Sequence, residues 1–338
     1  MTRFTGLSMQ AHDAKYGVLM VQMGGAQDLD GVASFIFEML KDRRIIDLPS
    51  FLRLPLAFFV SRVRAPKVRK QYAQIGGRSP IIEATFEQGR ALSSTLKGQG
   101  FNCAVEVGFR YCSPRIEDAM QRLDSLGVKT IVFLPLYPQY STTTTLSALD
   151  VAMKTAKRLG VALEVIEDYA DNPEFIEAWV ENIRRSISMI QNKDEILLCF
   201  SAHGIPVKYV ARGDPYPSRV QKTVEGIIAR INDVQGIIAS VLCYQSRFGK
   251  IKFLEPGILE ALEEGRRKGA ERVVVVPISF VSDHLETLFE LDKTVRKRAL
   301  ALGYDDFVLV KPPGVSQRFI SALSGLVIGR ISKEDEDG

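Results

Sequence analysis

Cysteine is scarce in this chain, with four residues among 338 and no pair at the CxxC spacing. Without such pairs, the sequence predicts neither a structural zinc site nor a thiol redox motif. Three of the four cysteines (Cys103, Cys112, Cys199 and Cys243) lie in or beside apolar runs. We therefore interpret them as buried, reduced thiols of a cytosolic protein.

Long apolar runs are also missing. The longest candidate, residues 45–63, is interrupted by prolines and charged residues, whereas a membrane span needs about 20 consecutive apolar residues. The first ten residues contain no hydrophobic stretch, so we expect no secretory signal. Charge is nearly balanced, at 44 basic and 40 acidic residues, and does not indicate a nucleic-acid partner.

Two nucleotide-binding signatures are absent. Met23-Gly24-Gly25 lacks the third glycine of the dinucleotide fingerprint, and no GxxxxGK[ST] segment occurs anywhere. The sequence therefore disfavours nicotinamide and nucleoside triphosphate ligands. The two glycines still predict a tight turn that lets the backbone approach a ligand.

Short β-branched segments alternate with longer amphipathic segments along the chain. The predicted strands are residues 16–22, 102–108, 129–134, 163–166, 195–200, 236–242, 272–276 and 306–310. Continuous apolar strands that alternate with helices indicate an α/β fold, with parallel sheets covered on both faces.

The length of the chain favours two domains. Residues 127–150 align without a gap with residues 269–292, which leaves duplication and coincidence as open alternatives. We predict an N-terminal α/β domain over 1–168 and a C-terminal α/β domain over 169–310. Residues 311–338 are predicted to form a helix and an acidic tail that pack back on the N-terminal domain.

Only three histidines are present, and two of them follow predicted strands. His203 comes after the fifth strand and His284 after the seventh, whereas His12 lies in a polar stretch and is interpreted as exposed. Each alone is typical of a structural imidazole. Because open parallel sheets bind ligands at the carboxyl ends of their strands, the two together favour a shared site.

Carboxylates accompany His284. If a helix begins near Asp283, then Glu286 and Glu290 lie one turn apart on the same face. Such like charges repel unless a cation or a proton lies among them. The alternative is an acidic first turn with Asp283 as the N-cap, which explains Asp283 better than Glu290. Imidazole and carboxylates together suit proton acceptance and loose coordination of a cation such as ferrous iron.

Two further features admit two interpretations each. Residues 45–63 are rich in Phe and Leu and are followed by a basic stretch, so they form either a core helix or an apolar lip. Such a lip would meet a flat apolar ligand and an anionic membrane surface. Arg110-Tyr111, at a strand end, would bind a carboxylate and stack on a flat ring, or else pair with a surface acid.

Eight sequence motifs, in this order, resemble those of the ferrochelatase family. They are VQMGG at 21–25, YAQIGGRSPI at 72–81, GFRY at 108–111, YPQYS at 137–141, FSAHGIP at 200–206, RGDPYP at 212–217, YQSRFG at 244–249 and PISFVSDHLETLFELD at 277–292. The resemblance covers nearly the whole chain, and the two motifs that contain histidine, at 200–206 and 277–292, are its most specific part.

The resemblance implies two Rossmann-like, chelatase-like domains with a ligand cleft between them. It also implies a lyase that inserts ferrous iron into protoporphyrin IX, giving protohaem and releasing two protons. Coproporphyrin III as the substrate, or a non-catalytic porphyrin- or haem-binding protein, are the alternatives. In the family pattern, His203 and Glu286 face each other across the porphyrin and bind or deliver the metal, with Asp283 and Glu290 as accompanying acids.

The same resemblance implies a set of residues against the macrocycle. These substrate-binding residues are Met23, Arg110, Tyr111, Ser141, Phe253 and Phe280. Residues 45–63 correspond to the apolar, membrane-contacting mouth of the family.

The chain departs from the family pattern in three places. Ala26 stands where proline is usual, and Lys250 and Phe253 replace proline and tryptophan. Residues 333–338 contain no cysteine, so we expect no iron–sulfur cluster and no permanently bound cofactor, with Fe²⁺ as a substrate. The expected partners are a porphyrin, ferrous iron and a membrane surface touched peripherally, without nucleic acid, in the cytoplasm.

Overall fold

The computed structural model describes residues 14–246 and 251–337, with side chains as far as residue 332. The predictions made for His12 and Lys250 lie outside the described residues. Within them, the chain forms two four-stranded parallel sheets flanked by helices, which confirms the predicted α/β class with two similar domains.

The first sheet belongs to a compact unit formed, within the described residues, by 14–137, 141–168 and 319–337. Its strands are β1 (Tyr16–Gln22), β2 (Cys103–Phe109), β3 (Thr130–Pro135) and β4 (Ala162–Val165), in the order β2-β1-β3-β4. Every residue of the first three strands is buried. Because both faces of these strands are buried, their sequences are continuous apolar runs rather than alternating ones.

The second sheet belongs to a unit of residues 138–140 and 169–318. Its strands are β5 (Ile196–His203), β6 (Ile237–Gln245), β7 (Arg272–Val276) and β8 (Asp306–Leu309), in the order β6-β5-β7-β8. The strand order is the same in both units. The two aligned sequence segments carry the equivalent strands β3 and β7, which favours duplication over coincidence.

Helices cover the sheets in both units. In chain order they are α1 (Val32–Leu40), α2 (Ser50–Ala73), α3 (Ile81–Gly98), α4 (Ile116–Ser125), α5 (Thr145–Leu159), α6 (Pro173–Ser188), α7 (Val207–Val210), α8 (Tyr216–Ile228), α9 (Ile258–Arg267), α10 (Arg296–Ala301) and α11 (Gln317–Asp337). A π-helix, Glu286–Val295, directly precedes α10.

The π-helix is anchored by the core of the second unit. Its buried residues are Thr287, Leu291 and Val295, which recur at every fourth position. Leu291 and Val295 belong to the apolar cluster that also contains β5 and β7 side chains. Glu286 and Glu290 immediately precede two of these anchors and are only partly buried.

Helix α2 is largely exposed, so the interpretation of residues 45–63 as a core helix is wrong. The helix begins at Ser50, and few of its side chains are buried. Phe51 is 73% exposed and Phe59 is 67% exposed. In the part of the chain that the structure describes, no helix is both long and apolar enough to cross a membrane.

Candidate active site

The carboxyl ends of three neighbouring strands supply the side chains of the candidate site. His203 is the last residue of β5 and pairs in register with Gln245, the last residue of β6. The π-helix follows β7, the other neighbour of β5, and begins at Glu286. Because these strands run parallel, their ends meet at one edge of the sheet, as expected for an open α/β sheet.

His203 and Glu286 contact each other directly. His203 Nδ1 lies 2.9 Å from Glu286 Oε2. The same oxygen accepts hydrogen bonds from Gln245 Nε2 at 3.2 Å and from Ser246 Oγ at 3.0 Å. The side chain of His203 is 41% exposed and that of Glu286 is 25% exposed. The two groups that the sequence predicted to act together are therefore brought together.

Their predicted placement on opposite faces of a porphyrin is wrong. A hydrogen-bonded pair leaves no space for a macrocycle between its members. The reason lies in the topology, since both residues follow adjacent strands of one sheet. His203 and Glu286 therefore lie on the same surface.

Ser246 links Glu286 to the second predicted acid, Glu290. Its backbone N–H donates to Glu290 Oε1 at 2.7 Å, and its Oγ lies 2.7 Å from Glu290 Oε2. Ser246 has a positive φ of 62°, an uncommon backbone conformation for a residue other than glycine. Such strain is typical of functional sites, where the surroundings hold it in place. Ser246 lies in the segment YQSRFG quoted above, but it was not among the predicted site residues.

The charges of the site shift the pKa values of Glu286 and Glu290 in opposite directions. Burial is the largest single influence on the pKa of Glu286 and raises it, but His203, together with His284 and the Ser246 hydroxyl, outweighs burial and lowers that pKa to about 2. Burial and the neighbouring Glu286 carboxylate instead raise the pKa of Glu290. Burial would lower the pKa of His203, but Glu286 outweighs it and raises that pKa. Glu286 is therefore the fixed negative charge, and Glu290 accepts a proton more readily.

His284 is a further residue of this site. It is 5% exposed, and its Nε2 lies 3.9 Å from Glu286 Oε2. Among the described residues, neither of its ring nitrogens has a hydrogen-bond partner. Burial lowers its pKa, more strongly than Glu286 raises it, so the ring is neutral. Its position after a strand predicted a site shared with His203, and the structure places a ring nitrogen of each imidazole within 3.9 Å of Glu286 Oε2.

Asp283 occupies a different place from the one predicted. The helix begins at Glu286 with Leu285 as its N-cap, so the alternative interpretation of Asp283 as the N-cap is wrong. Asp283 Oδ1 instead accepts a hydrogen bond of 2.9 Å from Thr287 Oγ1. This contact joins Asp283, two residues before the N-cap, to the first turn of the helix.

Arg110 and Tyr111 belong to a buried network in the first unit. Asp42 Oδ2 accepts hydrogen bonds of 2.8 Å from Arg110 Nη2 and from the Tyr111 hydroxyl. Ser147 Oγ also donates to this oxygen. Arg110 thus pairs with an acid, but Asp42 is buried rather than at the surface. Neither Asp42 nor Ser147 was predicted from the sequence as part of a site.

The other predicted substrate contacts differ in exposure. Met23 is partly buried and packs against the core of the first unit. Ser141 and Phe253 are buried, at 1% and 4% exposure. Phe280 is partly exposed, and its ring centroid lies 4.1 Å from that of His284.

The donor set suits a loosely held metal. In the described residues, no three or more histidine, cysteine, aspartate or glutamate side chains are arranged to hold a metal ion. His203 and Glu286 supply one nitrogen and one carboxylate, a pair compatible with iron. A two-donor site leaves most of the coordination sphere to water or substrate.

Comparison with known proteins decides the family. The family model for ferrochelatase matches residues 15–331. The chain is 39% identical over 316 residues to the ferrochelatase of Aquifex aeolicus, covering 93% of this chain and 98% of that protein. It is 36% identical over 323 residues to the ferrochelatase of Geotalea uraniireducens, covering 95% and 99%.

The chain belongs to the ferrochelatase family. It is a metal chelatase, a lyase that inserts iron into a porphyrin in haem synthesis. The two histidine-containing motifs, at 200–206 with His203 and at 277–292 with Glu286, fall within the matched range.

Solved structures agree with the chelatase fold of this ferrochelatase. SirB from Bacillus subtilis with Fe³⁺ matches with a TM-score of 0.57 over 95% of this chain and 98% of that chain, at 12% identity. CbiX, the terminal enzyme for biosynthesis of sirohaem in denitrifying bacteria, matches with a TM-score of 0.50 at 11% identity, over 93% and 98%. At these identities the likeness is one of fold.

Proposed function

We propose that this ferrochelatase inserts ferrous iron into protoporphyrin IX, giving protohaem and two protons. In this proposal His203 accepts the pyrrole protons and Glu286 guides the metal. The observation that carries it is the hydrogen bond of 2.9 Å between His203 Nδ1 and Glu286 Oε2.

That contact assigns a tautomer to His203. Glu286 is ionised at neutral pH, because its pKa is lowered to about 2, and an ionised carboxylate only accepts hydrogen bonds. His203 Nδ1 must therefore carry the hydrogen, which leaves Nε2 as the basic nitrogen. Orientation of an imidazole by a carboxylate in this way is a recurrent arrangement in catalytic and metal sites.

The reaction needs both groups for different reasons. A flat porphyrin holds two N–H protons toward its centre, and distortion of the ring exposes the nitrogen lone pairs. Binding energy from apolar walls can offset that distortion. A base then removes the protons, while weak ligands replace water on the iron without retaining it.

Glu290 and Ser246 extend the site into a proton path. The Ser246 hydroxyl lies within hydrogen-bonding distance of both Glu286 and Glu290 but donates only one proton at a time. When Glu290 is protonated, it donates to Ser246 and Ser246 donates to Glu286. We assign Glu290 and Asp283 as the acids that pass protons on from His203.

For the macrocycle we propose contacts with the partly exposed residues. These are Met23, Arg110 and Phe280. Tyr111, Ser141 and Phe253 are buried, and we propose them as further substrate-binding residues, each within its own unit.

The test is an anaerobic assay with ferrous iron and protoporphyrin IX, followed through the Soret and visible bands. His203→Ala is expected to lower the insertion rate at least about 100-fold, as for loss of a general base. His12→Ala is the matched control and should keep its activity. Near-normal insertion by His203→Ala would contradict the proposal.

Parallel assays with coproporphyrin III decide the substrate. Met23 favours protoporphyrin only through the family resemblance. A higher kcat/KM for coproporphyrin III would assign that porphyrin instead. Binding of both porphyrins without iron insertion would indicate a carrier rather than an enzyme.

We also propose peripheral contact with the inner face of the cytoplasmic membrane through helix α2. Its exposed apolar side chains are Phe51, Leu52, Leu54, Leu56, Phe58, Phe59 and Val63. Arg62, Arg64, Lys67, Arg69 and Lys70 lie in the same helix. Apolar side chains enter the interface between water and lipid, and each nearby cation adds about 1 kcal/mol on an anionic surface.

We propose that the enzyme has no resident cofactor and no iron–sulfur cluster, with iron entering only as substrate. A cluster needs several converging thiolates. Cys199 Sγ and Cys243 Sγ lie 3.2 Å apart in the core, but the described residues contain no group of three or more possible metal ligands, and residues 333–338 contain no cysteine. Iron and acid-labile sulfide analysis of the purified protein tests this proposal.

A further inference from the structure

Two imidazoles of the second unit lie near one carboxylate oxygen, and one phenyl ring packs against both of them. Glu286 Oε2 lies 2.9 Å from His203 Nδ1 and 3.9 Å from His284 Nε2. The ring of Phe280 packs against both imidazoles, with centroid distances of 6.4 Å to His203 and 4.1 Å to His284.

Two imidazoles and one carboxylate form a strong donor set. This combination holds non-haem ferrous iron and zinc in many enzymes. His203 Nδ1 donates a hydrogen bond of 2.9 Å to Glu286 Oε2, whereas His284 Nε2 lies 3.9 Å from the same oxygen, beyond hydrogen-bonding distance.

His284 is therefore a potential third metal ligand that makes no direct contact with Glu286. Its ring nitrogens have no hydrogen-bond partner within the described ranges, so nothing polar holds the ring there. Its backbone N–H is bonded to Thr287 Oγ1 at 2.9 Å, which holds the main chain in place. Packing against Phe280 is the contact that sets the position of the ring.

We propose that Phe280 is a positioning residue that keeps His284 out of the iron coordination shell. The iron then meets two protein donors instead of three. A chelatase must transfer its metal, and a third protein ligand would retain the ion that the porphyrin has to receive. This inference rests on the proposed function, with Glu286 as the metal guide and the free Nε2 of His203 as the second donor.

The experiment measures metal affinity directly, on full-length protein without a histidine tag and without porphyrin. The probe is Co²⁺, followed by calorimetry and by its visible ligand-field absorption. Phe280→Ala gives the His284 ring room to approach Glu286. We expect this variant to bind Co²⁺ at least about tenfold more tightly, with stronger absorption from a lower coordination number.

Three further variants identify the cause. Phe280→Leu keeps the apolar bulk and should bind Co²⁺ like the unaltered protein. Phe280→Ala/His284→Ala should return to the original affinity, because the third donor is gone. His284→Ala alone should leave the affinity unchanged, and this variant gives an answer even where Phe280→Ala does not fold.

Two outcomes would overturn the proposal while leaving the proposed function intact. One is equal affinity of folded Phe280→Ala and the unaltered protein, and the other is a marked loss of affinity in His284→Ala. In both, His203→Ala still weakens Co²⁺ binding. If His203→Ala and Glu286→Gln bind Co²⁺ unchanged, the proposed iron site itself fails, and the role of Phe280 fails with it.

Discussion

At the scale of single residues, the charge of His203 is set by its neighbour. Burial favours the neutral ring, but the carboxylate of Glu286 prevails and raises the pKa above the ordinary value of about 6.5. A proton acceptor must be neutral before it can act. The insertion rate should therefore rise with pH through the raised His203 pKa.

Glu286→Gln should shift that pKa in a known direction. Once the carboxylate is removed, burial is the larger remaining influence, so we expect the His203 pKa to fall. The measurement is an NMR titration of the imidazole resonances, which only three histidines make simple to assign.

Glu290→Gln is the matched control for this titration. Glu290 is the last contributor to the raised pKa of His203, so its removal should cause a smaller decrease than removal of Glu286. An unchanged His203 pKa in Glu286→Gln would show that the contact does not control its protonation.

Ser246 offers a second test at this scale. Ser246→Gly removes the hydroxyl that lies between Glu286 and Glu290, and glycine readily adopts the positive φ of 62° found there. We expect kcat to fall by about 10- to 100-fold, because the proton path is broken. The KM for porphyrin and the thermal midpoint should change little.

Ser246→Ala is the companion variant, since it loses the same hydroxyl but keeps the strained backbone. Similar kcat values in the two variants, with greater stability in Ser246→Gly, would assign the loss to the hydroxyl. Full activity in both variants would contradict the relay.

At the scale of secondary structure, apolar runs predicted the strands but not always their ends. The bounds of β1 and β7 match the prediction, because each is a short apolar run with clear limits. The predicted end of β5, at residue 200, falls three residues short of His203. Ser201, Ala202 and His203 lack the apolar character that marks a buried strand.

The sequence pattern did not predict the π-helix. An α-helix near Asp283 was predicted from the spacing of the acids, and that spacing does place Glu286 and Glu290 near each other. Hydrogen bonding from i to i+5 has no such signature, and its start at Glu286 depends on tertiary contacts through Leu291 and Val295.

Helix α2 carries the prediction at this scale. Phe58→Ser/Phe59→Ser should weaken binding to anionic phosphatidylglycerol vesicles, because these side chains are 53% and 67% exposed and available to lipid. Cosedimentation at low and high salt measures the effect, and neutral vesicles should bind less protein throughout. Thermal stability should barely change, since neither side chain is buried.

Met189→Ser is the control for the vesicle experiment. Met189 is 79% exposed but lies outside α2. Loss of vesicle binding in Met189→Ser, or full binding in the α2 variant, would contradict the proposed contact.

At the scale of the whole molecule, the two halves use equivalent positions differently. Tyr16 pairs with Thr130 as Ile196 pairs with Arg272, and Thr130 aligns with Arg272 in the repeat. Counted from these positions, Met23 in the first half corresponds to His203 in the second. The repeat predicted two similar sheets and the sequence placed both residues in the second half, but only the structure shows that the histidine and the glutamate contact each other.

The thiols provide a probe of global opening. Cys103, Cys199 and Cys243 are buried, and burial raises the pKa of Cys103 and of Cys112 to about 11. At about pH 8 only about one such thiol in a thousand is the reactive thiolate. Native protein should therefore react slowly with dithionitrobenzoate, whereas denatured protein should release the colour of four thiols at once. Labelling in increasing urea should follow the unfolding curve seen by circular dichroism. Rapid modification without denaturant, at two or more thiols, would mean that the sheets open locally and that these cysteines are not sealed in the core.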